Sequence, residues 1–179
     1  MPEIEIRSAT PDDVERLTVF EHGYYSEYVW QMSLDLSEET SQAEFRRVRL
    51  PRRVFVPYPR KKEMIFADMN TAEAFLIADI QQQSVGYIKV RSEREENVAR
   101  VTDLVVSGAL RRQGIASGLL LAVMDLFSYR NFQTLLLEMQ SKNFPAIEMA
   151  KKLGFKFCGF RDHYFPNQEM ALFFSRFMR

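Results

Sequence analysis

An α/β fold is what this sequence predicts: one domain over residues 1–179, in which an antiparallel meander of strands is flanked by helices. Three observations predict it. Short apolar runs alternate at period two near the start and in the middle of the chain. From Gln113 onward the apolar positions change to helical spacing. With 179 residues, 46% of them hydrophobic and 15 of them phenylalanine, the chain can bury one good core and little more.

Taken in order, EIEIRSA alternates and predicts a strand. Pro11 then opens PDDVERLTVFEHG, whose first-turn acids and closing Gly23 predict a helix that runs to that glycine. Residues 24–63 are ambiguous. EYVWQMSLDLS and EFRRVRLPRRVFVPYP fit either two strands or a helix followed by extended, proline-punctuated chain. EAFLIADI, VGYIKVRSE and ARVTDLVV, joined by short polar turns, form the meander. Ile115, Leu119, Val123, Leu126 and Phe127 line one face of a helix, and TLLLEMQ has the unbroken apolarity of a strand buried on both faces. A helix from about Pro145 to Leu153, stopped by Gly154, and two aromatic strands, FKFCGFRDHYF and EMALFFSRFM, complete the chain.

Composition narrows the function. Twenty-four basic residues balance 24 acidic ones, so no global field favours nucleic acid or an anionic membrane surface. No run approaches the roughly 20 apolar residues that span a bilayer, and the N-terminus lacks an apolar signal-peptide region. Cys158 is the only cysteine, which excludes an internal disulfide and fits a reducing compartment. The expectation is a soluble cytoplasmic protein without membrane or nucleic-acid partners, monomeric or homodimeric. His22 and His163 are isolated from other ligand types, so no metal site is expected. Cys158, in an aromatic strand, is expected to be a small buried hydrophobe.

The most informative stretch is RRQGIASGLL, residues 111–120. A strand, a turn rich in arginine and glycine, and a helix start bring unpaired N–H groups and the positive end of a helix dipole to one point, which is where phosphate binds. Gly114 lets the backbone turn and approach a ligand, and Ala116 and Ser117 are small enough to leave their amides exposed. Arg111 and Arg112 would add charge contacts to the same anion. An ordinary strand-to-helix turn with a solvated basic pair is the alternative. A P-loop does not fit, because the lysine and hydroxyl residue that should follow its second glycine are absent.

These residues resemble the GNAT superfamily of N-acetyltransferases. Its signature Q/R-x-x-G-x-G/A is met by Arg111, Gly114 and Ala116. A second block, an acid-bearing strand followed by Asn-x-x-Ala and a helix ending in Leu-Gly-Phe, is met by Glu138, Asn143, Ala146 and Leu153-Gly154-Phe155. The resemblance runs from about Ala74 to the C-terminus and, loosely, over the first helix. It implies a mixed, mostly antiparallel sheet whose central strands splay apart, an acyl-CoA-binding core at about 74–160, and acetyl-CoA as co-substrate. The backbone of Leu104, Val105 and Val106 would pair with the pantetheine arm. The amides of Arg111, Arg112, Gln113, Gly114, Ile115, Ala116 and Ser117 would cradle the pyrophosphate. Asn143 would hydrogen-bond the pantetheine, cap the following helix, or do both.

The chemistry needs a base for the attacking ammonium and a proton for the departing thiolate. Glu138 is the candidate base: burial at a strand end raises a carboxylate's affinity for protons, and a glutamate stands there in the similar ribosomal-protein N-terminal acetyltransferases. Asp103 on the preceding strand is the second candidate. Where many members of the family carry a tyrosine acid, seven residues after the asparagine, this chain has Ala150. Tyr164, in the turn RDHYFPNQ, is the replacement candidate, and Tyr129 a more distant one.

Acceptor choice is assigned to residues 24–63. Eight basic residues lie between Arg46 and Lys62, behind the acids Asp35, Glu38, Glu39 and Glu44, and most of these charges are expected to be solvated. Tyr24, Tyr25, Tyr28 and Trp30 either line an acceptor pocket or pack. The layout of the tail is also similar to streptothricin acetyltransferases. The expected acceptor is a small-molecule amine or a peptide N-terminus. A non-catalytic acyl-CoA-binding or interaction module on the same fold is the alternative.

Overall fold

In the computed structural model, residues 3–67, 69–93, 97–130 and 132–178 are described. Nine strands and four α-helices run in the order β1 (Glu5–Ser8), α1 (Asp13–Thr18), β2 (Tyr24–Leu36), β3 (Ser41–Val56), α2 (Lys62–Ala67), β4 (Ala74–Ile80), β5 (Gln83–Glu93), β6 (Val98–Val106), α3 (Ile115–Ser128), β7 (Thr134–Gln140), α4 (Phe144–Lys152), β8 (Lys156–Arg161) and β9 (Ala171–Phe177) among these residues. Seven strands form one sheet, ordered β1-β4-β5-β6-β7-β9-β8, while β2 and β3 form a separate two-stranded ribbon. Among the described residues only β6 and β7 pair in parallel in the large sheet, so it is mixed and mostly antiparallel, as expected.

The sheet is covered on both faces, which is why its central strands read as continuous apolar runs. In β4, Leu76 and Ala78 join the larger core cluster with Leu119, Val123 and Phe127 of α3 and Ile147 of α4. The alternate residues Phe75 and Ile77 face Leu17 of α1 and Ile65 and Phe66 of α2.

Two local features shape the centre of this sheet. β6 and β7 pair only from Val98–Val101 to Thr134–Leu137, after which both strands continue without pairing to each other. Just where they part, Lys89 pairs with Asp103 and Val90 with Val101, so Thr102 is the extra residue of a β-bulge. The bulge reverses the facing of β6. Before it Ala99 and Val101 join the larger cluster; after it Val106 and Leu104 do, and Val105 packs on the α1–α2 side.

Three sequence expectations change. The first helix ends at Thr18 and not at Gly23, because Phe20 and His22 turn into the core and His22 Nδ1 hydrogen-bonds the Phe20 carbonyl at 2.8 Å. The ambiguous segment is two long strands, and Pro51 is tolerated because residues 50–53 lie in a break of the ribbon's pairing, between Ser26↔Val54 and Tyr28↔Arg49. Cys158 is exposed. It is the bulged residue of the sheet's edge strand, between the pairs Phe157↔Phe174 and Gly159↔Phe173, and among the described residues no further strand pairs with that edge.

Candidate functional site

The start of α3 carries the turn that the sequence marks as a candidate anion site. Gly114 precedes the helix with φ +86°, a left-handed conformation that favours glycine, and no side chain caps the first turn. A Cβ at Gly114 would meet no atom within 4 Å, so the space over these amides is open. Gln113 and Gly114 are exposed, Ile115 is buried beneath the turn, and Ala116 and Ser117 are partly exposed. The Arg111 guanidinium turns inward: Nε donates to the Val106 carbonyl at 2.9 Å and Nη2 to the Glu21 carbonyl at 2.6 Å. Its charge therefore anchors the loop to the end of β6, and Arg112 is the exposed arginine of the pair.

Leu104, Val105 and Val106 form the stretch of β6 past the bulge, paired with β5 on one side only. Asn143 caps α4, its Oδ1 accepting from the Ala146 N–H at 3.3 Å.

On the α2 side of the splay lies a cleft of about 370 Å³. Arg60, Met64, Lys89, Arg100, Thr102, Asp103, Glu138 and Tyr164 are in its lining, so the three candidate catalytic residues converge on one cavity. The Glu138 side chain is 1% exposed. Tyr164 donates to its Oε2 at 2.6 Å, Arg60 Nη2 donates to Oε1, and Arg100 Nη1 lies 3.5 Å from Oε2. The buried carboxylate is therefore flanked by two guanidinium groups and one phenol.

Asp103 is held differently. It accepts from the Tyr58 hydroxyl at 2.7 Å and lies 3.4 Å from the Lys89 ammonium and 3.6 Å from Arg60. Burial, with the neighbouring Asp103 charge, pushes the Tyr58 hydroxyl well above its ordinary value, so it stays a donor. Burial draws Lys89 down while Asp103 opposes that. Asp103 is thus surrounded by Tyr58, Lys89 and Arg60, whereas Glu138 is bonded to a phenol on the cleft wall.

The other sequence candidates lie elsewhere. Tyr129, at the end of α3, is 82% exposed and is not in the cleft lining. Ala150 is fully buried in the larger core cluster. Tyr24 donates to Gln140 Oε1 at 2.9 Å, Tyr28 packs on Phe144 and Trp30 lies beneath Lys151, so these three fasten the ribbon to the body. His163 is exposed beside Asp162.

Arg60, Lys89 and Arg100 were missed by the sequence reading. A signal existed for two of them: Lys89 in GYIKV and Arg100 in VARV interrupt buried strands with a charge, as Asp103 and Glu138 do. Arg60 had none, lying in a basic stretch whose other members are mostly exposed.

The sequence matches, over residues 35–155, the profile of the family described as acetyltransferase (GNAT) family. An N-alpha-acetyltransferase of Sulfurisphaera tokodaii is 35% identical over 109 residues, 55% of this chain and 65% of the relative, so the match spans less than two thirds of that relative's length. In fold the chain is similar to a nourseothricin acetyltransferase, with a TM-score of 0.83 and 18% identity over 98% of this chain and 99% of the other. It is also similar to a putative streptothricin acetyltransferase from Bacillus anthracis, solved in complex with acetyl coenzyme A, with a TM-score of 0.78 and 19% identity over 98% and 99% of the two chains.

Proposed function

The chain belongs to the acetyltransferase (GNAT) family, and on that premise we propose that it is an acetyl-CoA-dependent N-acetyltransferase that moves the acetyl group directly to a primary amine. The observation that carries this is the hydrogen-bonded Tyr164–Glu138 pair, on the wall of a cleft at the point where β6 and β7 part. The uncapped start of α3 would hold the pyrophosphate and the free stretch of β6 the pantetheine, which leads the thioester into the splay.

In that geometry the amine nitrogen attacks the thioester carbonyl, the C–N bond forms and the C–S bond breaks. The ammonium loses two protons on its way to the amide; one ends on the departing sulfur and the other in solvent. Glu138 is the base and Tyr164 the group in contact with the reacting atoms. The names of the relatives support a peptide N-terminus or a small antibiotic-like amine as acceptor.

The test joins binding to turnover. Acetyl-CoA and CoA should raise the melting temperature, ATP should not, and Gly114→Glu should abolish the shift by placing a carboxylate on the anion site. Thiol release should then accelerate with some members of a panel of small amines and peptide N-termini. Binding without acceleration by any of them would favour the non-catalytic acyl-CoA module, a reading that the absence of a phenol at position 150 supports. No shift with either CoA species would overturn both.

A further inference from the structure

Arg60 reaches the site from outside the sheet. It lies in the short connection between β3 and α2, yet its guanidinium touches both splayed strands. Nη1 donates to the carbonyl of the bulged Thr102 on β6 at 2.7 Å, and Nη2 donates to Glu138 Oε1 on β7. The same group lies 3.6 Å from Asp103 and rests over the Phe165 ring, 5.3 Å from its centre. A planar fork with both arms engaged and an aromatic beneath it has little freedom.

We propose that Arg60 is a positioning residue for proton transfer: by holding Glu138 Oε1, it keeps the carboxylate charged and leaves Oε2, bonded to Tyr164, as the only oxygen that trades protons with the acceptor. The proposal rests on the acetyltransferase reading above. The proton leaves the ammonium nitrogen for the Tyr164 oxygen while the phenol's own proton passes to Glu138 Oε2. The tyrosine ends neutral, the carboxylate becomes a carboxylic acid, and the freed amine can attack. Because the phenol oxygen already donates to Glu138 at 2.6 Å, the second transfer needs no rearrangement.

Among the described residues, Arg60 from the connection, Arg100 from β6 and Tyr164 from the turn before β9 contact Glu138, and Asp103 of β6 with Lys89 and Arg91 of β5 line the same cleft. Removing Arg60 takes away the cation on Oε1 and leaves Arg100 on the other oxygen. Glu138 then holds its proton to higher pH.

The experiment is a set of pH–rate profiles for thiol release by wild type, Arg60→Ala, Arg60→Lys and Glu138→Gln, with acetyl-CoA thermal shifts as a check of folding. Arg60→Ala is expected to lower kcat by up to about a hundredfold. Its acidic limb should move to higher pH, KM for acetyl-CoA should stay put, and added guanidinium ion at low concentration should restore rate. Arg60→Lys should keep the limb near that of wild type while losing part of kcat, since it supplies the charge without the fork. An unmoved limb in Arg60→Ala, with no rescue, would overturn the proposal and leave the base intact; if Arg60→Ala does not fold, a shifted limb or full kcat in Arg60→Lys overturns it instead. Glu138→Gln with wild-type rate and limb would overturn the base assignment itself.

Discussion

Glu138 and Tyr164 are one hydrogen-bonded unit, so their substitutions should not behave as independent losses. Glu138→Gln and Tyr164→Phe are each expected to lower kcat about a hundredfold or more while leaving acetyl-CoA affinity within about twofold. The double variant should be little worse than either single one; a loss equal to the product of the two, in steady-state kinetics, would mean that the two groups act separately. Asp103→Asn should act mainly on stability, because it removes the charge that Lys89 and Tyr58 enclose. At this scale the sequence was informative wherever a charged residue breaks a buried apolar strand. Glu138 in LLLEMQ and Asp103 in VTDLVV stand out for that reason, whereas Tyr164 could be placed only through its turn. Arg60 was illegible because its neighbours Arg52, Arg53 and Lys61 are the same chemistry in solvent.

The bulge and the splay are properties of strands, and neither has a residue signature. Thr102 is an unremarkable strand residue, and the parting of β6 from β7 follows from how far the two run side by side. That is why the meander and the buried β7 could be read from apolar periodicity, while the gap between them came only through resemblance. One glycine makes the local geometry testable. Gly86 faces the free end of β6, and a Cβ there would lie 2.9 Å from the Val105 carbonyl and 3.2 Å from the Val106 side chain. Gly86→Ala is expected to cost about 1–3 kcal/mol in denaturant unfolding. It should also weaken acetyl-CoA binding, because the strand pushed aside is the one that would carry the pantetheine. Unaltered binding in a destabilised variant would show that β6 yields away from the ligand. The short α1 illustrates the opposite failure: Gly23 looked like a helix stop, but burying Phe20 and His22 outweighed local helix signals.

Two faces of one sheet make up the body, and its stability should depend on pH through groups on the α1 side. His22 is buried between the Phe20 carbonyl and the Tyr87 hydroxyl, and burial holds its imidazole below the ordinary value. A base depressed in the folded state stabilises above its unfolded value and loses that contribution as pH falls. Melting temperature should therefore begin to drop below about pH 6.5. Asp13, held down chiefly by its hydrogen bonds with Arg7, adds a second loss only below about pH 4. His22→Gln should flatten the first phase and leave the second; an unchanged profile would assign the first phase to other groups. No helix among the described residues is long and apolar enough to cross a membrane. The bulge that brings Cys158 to the surface has a practical side. A chain whose single thiol stands exposed on an edge strand can be labelled at one defined place with a maleimide dye or spin probe. That thiol will also react once per chain with any disulfide reagent used to follow CoA release, so Cys158→Ser is the background in which turnover is best measured.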